Sequence, residues 1–150
     1  MKKKLDLYIK NHDLKNCENL YLSLDEREQL SKDMIAFSII LKIARIEEDN
    51  GIKGLFWRND CNCVDDLVKL YYSIKYYLRR IEYDIEISNA IDFVSMNISI
   101  YMLILMISLF SSNKQKVATY MEKHFKNRGD KEMEHVLHEY LCKGSFVMEG

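Results

Sequence analysis

Residues 64–85 read VDDLVKLYYSIKYYLRRIEYDI, and Val64, Leu67, Tyr71, Ile74, Leu78, Ile81 and Ile85 recur every three or four positions along them. That period lines up apolar side chains on one face of an α-helix, whereas a strand needs a period of two. The stretch predicts a helix over about 64–87 with one side buried against other helices. Its far side carries Lys69, Tyr72, Tyr76, Arg79 and Tyr83. Tyrosine and arginine offer large contact area with a polar tip, so this face is a candidate binding surface unless neighbouring helices cover it.

The same period continues on both sides. Ser23 and Glu26 have the spacing of a capping box and open a run to Asn50, which Gly51 stops. Within it Leu30, Met34, Phe37 and Leu41 form one stripe and Ile35, Ile39, Ile43 and Ile46 a second. A face that wide predicts extensive burial. Leu5, Tyr8 and Ile9 suit a short first helix, with a connector over 13–22. Downstream, Ser88 or Asn89 is placed to cap a helix over about 91–110, and no residue between Asp92 and Lys114 is charged. Only 98–110 is strongly apolar, because Ser95, Asn97 and Ser99 dilute the first half. A membrane span needs roughly 20 apolar residues, so a buried central helix is expected rather than an anchor. Ser112 with Gln115 repeats the capping spacing before Val117, Tyr120, Met121 and His124, and Asp130 caps a last stripe of Met133, Val136, Leu137, Tyr140 and Leu141. The expected fold is all-α: residues 1–150 as one domain, a bundle of five to six helices around the very apolar helix at about 91–110.

Composition narrows the function. With 48% apolar residues, 30% charged residues and a formal net charge of −1, the chain has no global attraction to nucleic acid or anionic membrane. Any charged partner must be met by a local patch. The N-terminus lacks the apolar run of a cleaved signal, so a cytoplasmic location with Cys17, Cys61, Cys63 and Cys142 as free thiols is expected. Proline is absent while Ile, Lys, Tyr and Asn abound, as in products of A/T-rich coding DNA.

Catalytic signatures are sparse. No glycine-rich phosphate loop or dinucleotide fingerprint occurs, and the Cys61-Asn62-Cys63 spacing lacks the paired form of a zinc module, so no cofactor or metal is expected. His135, His138 and Cys142 share one side of the last predicted helix, opposite its apolar stripe, which reads as a solvated polar face rather than a ligand set. Arg128 and His135, with six residues between them across a helix start, resemble the R-x(4–6)-H motif of the HEPN family, small helical domains that often cleave RNA. The resemblance implies that Arg128 would hold phosphate and His135 would assist proton transfer at the ribose 2′-hydroxyl. Gly129 departs from the polar residue usual after the family's arginine.

Two further surfaces stand out. Leu55, Phe56 and the only tryptophan, Trp57, lie in the glycine-containing turn after residue 50 with Arg58 beside them, either as a plug over the core or as an aromatic anchor. Around them Glu47, Glu48, Asp49, Asp60, Asp65 and Asp66 outnumber Lys53 and Arg58, a local excess of four negative charges suited to a basic partner. Residues 114–131 carry the opposite excess, with Lys114, Lys116, Lys123, Lys126, Arg128 and Lys131 against Glu122 and Asp130. The favoured reading is a non-enzymatic protein-binding module, an immunity or antitoxin inhibitor that occludes a basic toxin such as a nuclease. The alternatives are a virus-encoded inhibitor of death or innate signalling built as a bundle of Bcl-2 type, and the RNase using Arg128 and His135. The partner is expected to be another protein, not nucleic acid or a membrane.

Overall fold

A proline-free chain with Ser, Asp and Asn in front of its apolar runs is equipped to start helices often. In the computed structural model, which describes residues 2–143, it starts nine: α1 (Lys2–Lys10), α2 (Leu14–Ser23), α3 (Glu26–Gln29), α4 (Lys32–Asp49), α5 (Val64–Glu82), α6 (Ile87–Asn97), α7 (Ile100–Phe110), α8 (Lys114–Asn127) and α9 (Lys131–Lys143). The all-α class holds, with no strand among the described residues. More helices form than the expected five to six, because polar side chains interrupt two runs that look continuous in sequence. The chain groups into two compact units, one ending at Tyr72 and the other beginning at Ser73.

In the first unit α2 occupies the stretch where a connector is expected. Asp13 caps it by accepting from the Asn16 amide at 3.2 Å, and Leu14 and Cys17 are buried. The run over 23–50 is divided: Ser23 donates its hydroxyl to the Leu20 carbonyl instead of capping, Asp25 caps α3, and Ser31 caps α4. Leu30 therefore lies at a break and is exposed, as is Ile35. Phe37, Ile40, Ile43 and Ala44 form the buried face of α4, against which α2 packs. The Asp6 carboxylate on α1 accepts from the Val64 amide at 2.8 Å, so the first helix caps the start of α5.

In the second unit the predicted central helix is broken. Asn97 donates to the Phe93 carbonyl at 2.6 Å, Ser95 donates to the Asp92 carbonyl at 3.2 Å, and Ser99 accepts from the Met102 amide at 3.3 Å as cap of α7. Such side chains compete with the backbone ladder, and here they end α6 and start α7 with a bend of 120°. No single helix among the described residues is long and apolar enough to cross a membrane. The core role falls to α7, which packs on α6, α8 and α9 and buries Met102, Leu103, Ile104, Met106 and Ile107. Each such side chain contributes about 1.5–3 kcal/mol. The turn before α6 uses Asp84 and Glu86 at φ +61° and +45°, which leaves Ile85 outside α5 and exposed, and neither Ser88 nor Asn89 acts as the cap. Asn113 rather than Ser112 caps α8, and Asp130 caps α9 through the Met133 amide at 3.2 Å.

Candidate functional site

Glu47 lies in the last turn of α4, and its position decides the loop that follows. It is buried, with 1% exposed, and its Oε1 accepts from the Leu55 amide at 3.0 Å. Gly54 lies directly against the carboxylate, where an added Cβ would overlap it. Glu47 thus fastens the loop and cannot steer a partner from the surface, which corrects its assignment to the acidic patch. Held in this way, the loop forms a single 3-10 turn over Leu55–Trp57. Leu55 and Phe56 point inward and are buried, so Phe56 is a plug and not a contact residue.

Trp57 takes the other course. It stays 39% exposed, with the His12 ring stacked on it at 4.9 Å between centroids and the Lys53 ammonium 4.9 Å from the ring centre. His12, at φ +56°, donates from Nδ1 to the Phe56 carbonyl at 2.5 Å, which ties the stacking ring to the backbone of the loop. A buried ring, Phe56, and a partly exposed one, Trp57, are therefore adjacent residues of one turn.

The remaining acidic residues of the patch are partly neutralised. Arg58 donates to both oxygens of Asp60 at 2.9 and 2.6 Å and holds that carboxyl below its ordinary range. Lys2 pairs with Asp65 at 2.8 Å, and Arg45 lies 3.6 Å from Asp49. Asp66, half-buried, accepts from the Asn62 amide at 3.0 Å in the turn before α5. Glu48 is exposed. Exposed ion pairs of this sort contribute little and are screened by salt.

Along α5, Lys69 is exposed and Tyr72 is half-buried beneath the Lys32 ammonium, 5.3 Å from the ring centre. In the second unit Tyr76, Arg79 and Tyr83 are exposed, and Tyr76 accepts from Arg80 at 2.7 Å. The far face of α5 is wet at Tyr76 and Arg79, and Tyr83 follows in the turn just after the helix.

Arg128 and His135 have different partners. Arg128 ends α8 and donates to Asp92 at 2.7 Å, whereas His135 is exposed on α9 with Glu139 Oε1 at 3.3 Å. His124 meets the same carboxylate, with its Nε2 3.0 Å from the other oxygen of Asp92. Asp92 thus serves both groups and ties α6 to α8 beside a pocket of about 360 Å³ that Ser88, Tyr120, Lys123, His124, Asn127 and Arg128 help to line. His124 falls with the apolar stripe of α8 by helical spacing, and no local pattern in the sequence marks Asp92 as its partner. Asp92 does carry a signal of its own: it is the one charged residue between Ile87 and Asn113, and a carboxylate on a largely apolar helix needs a partner. Among the described residues no group of three or more His, Cys, Asp or Glu side chains is arranged to hold a metal ion.

Comparison with protein-family models, with characterised proteins and with solved structures finds no match to this chain.

Proposed function

We propose that this chain is a protein-binding module, without catalysis of its own, that works by occluding a partner with a basic surface, as an immunity protein or antitoxin occludes a toxin such as a nuclease in the cytoplasm. The observation that carries the reading is Trp57. A lone tryptophan left 39% exposed while its two predecessors are buried, and fixed by the His12 stack, has the character of an anchor whose ordering cost is met before a partner arrives. The exposed carboxylates Glu48, Asp49, Asp60 and Asp65 around it supply the complementary charge.

The rival binding reading, a virus-encoded inhibitor of Bcl-2 type, differs in the partner and is distinguished by identifying it. Nothing in the geometry favours RNA cleavage by Arg128 and His135, since Asp92 engages one and Glu139 the other. Affinity capture from the source cells followed by mass spectrometry identifies the partner. Titration then follows Trp57 emission, which reports on one site because the chain has a single tryptophan. A basic protein that changes this emission on binding, and loses affinity to Trp57→Ala, supports the proposal. Unchanged affinity in Trp57→Ala refutes the anchor, and cleavage of labelled RNA that is lost in His135→Ala refutes the non-catalytic reading.

A further inference from the structure

Cys142, His138 and Glu122 stand in sequence at hydrogen-bonding distances in the second unit. Cys142 and His138 are four residues apart on α9, which puts them on the same side of the helix, and Glu122 comes from α8, which packs along it. Cys142 Sγ lies 3.5 Å from His138 Nε2, and His138 Nδ1 lies 3.0 Å from Glu122 Oε1. An ionised carboxylate can only accept, so Nδ1 carries the hydrogen and Nε2 of the neutral ring keeps its lone pair. The thiol therefore donates to Nε2. Nucleophile, base and orienting carboxylate in this order are the arrangement that activates sulfur and oxygen nucleophiles.

The other cysteines lack such a setting. Burial pushes the Cys17 thiol up to about 12 and also raises Cys61, and Cys63, half-buried, is raised for the same reason. Cys142 is exposed, on the side of α9 away from buried Leu137 and Tyr140, and the His138 side chain beside it is 62% exposed. A reagent that meets this sulfur comes directly from solvent.

We propose that Cys142 is a covalent modification site, a thiol that exchanges with low-molecular-weight disulfides of the glutathione type to form a mixed disulfide. The Cys142 S–H bond gives its proton to His138 Nε2, and Sγ attacks one sulfur of the small disulfide. The S–S bond breaks, its electron pair leaves on the second sulfur, and that thiolate takes the proton from His138. One protein thiol is oxidised to the mixed disulfide and one small thiol is released, with no other oxidant needed. Glu122 acts only as a positioning residue, holding the ring in the tautomer that accepts.

This inference is independent of the proposed function. The test incubates the purified full chain with oxidised glutathione and follows the adduct by intact mass and peptide mapping. The expected result is a single adduct on Cys142, formed roughly tenfold more slowly in His138→Gln and slowed by a smaller factor in Glu122→Gln. Circular dichroism establishes that both variants stay folded, as substitution of exposed His138 should allow. Equal rates in the wild type and His138→Gln, or an adduct forming as fast on Cys63, would overturn the proposal.

Discussion

At Gly54 a single methyl group decides the shape of a loop. A Cβ there meets the Glu47 carboxylate, and Glu47 is buried and bonded to the Leu55 amide, so neither can yield without releasing the turn that places Trp57. Gly54→Ala should lower unfolding free energy by about 1–3 kcal/mol, measured by urea denaturation, and should also shift Trp57 emission toward that of a solvated ring. Asp84 makes a second point at this scale. Tyr120 and Lys116 on α8 hold its carboxyl below the ordinary aspartate range by hydrogen bonding. A carboxylate with a depressed folded value stabilises above its unfolded value, and the gain disappears as pH falls through the lower folded one. The difference in melting temperature between the wild type and Asp84→Asn should therefore be present near neutrality and close as pH falls through and below the ordinary aspartate range.

The decisive elements are the two that break and the one that does not. The polar residues that dilute the apolar run at 95–99 are the ones that end α6 and cap α7. Ser99→Ala should cost about 1 kcal/mol in chemical denaturation, the usual effect of losing an N-cap. On α5, Leu78 is 1% exposed and Tyr76 54%. Leu78→Asp should unfold the protein or destabilise it severely, as an unpaired charge in a core does, while Tyr76→Asp should change the thermal midpoint only slightly. Comparable loss in the two variants would contradict the wet face that carries Tyr76 and Arg79.

For the whole molecule, the binding reading predicts a division of kinetic labour. Charge reversal at Glu48 and Asp65 should mainly slow association with the basic partner and weaken its salt dependence, and Trp57→Ala should mainly speed dissociation. Both sets of variants should keep the wild-type circular dichroism. If Trp57→Ala abolishes the thermal transition instead, the ring is part of the core, and surface plasmon resonance on the Tyr76 and Tyr83 variants becomes the next measurement. The local charge count alone would have put Glu47 and Asp66 in this surface. Burial removes Glu47, whereas Asp66 keeps its charge while accepting from the Asn62 amide.

Period and capping chemistry are local, so the sequence by itself determined the helical class, the buried stripe Val64 to Ile81 along α5, the apolar core helix after residue 98 and the Asp130 cap. Local rules also erred where two caps compete. Ser23 and Asp25, or Ser112 and Asn113, offer equivalent hydroxyl, carboxylate or amide acceptors, and long-range demands choose between them: Glu82 takes the Ser112 hydroxyl, leaving Asn113 to cap α8. Pairings across many residues could not be read from one dimension. His12 meets Trp57, Asp92 meets His124, and Glu122 meets His138, because each depends on which helix packs beside which. Tertiary structure alone decided that one acidic side chain of the 47–66 patch is a buried fastener, that Phe56 and Trp57 face opposite ways, and that an apparently idle histidine and cysteine on α9 are joined to a carboxylate. A charge or a ring has its function set by what it is packed against, and sequence neighbours do not specify that environment.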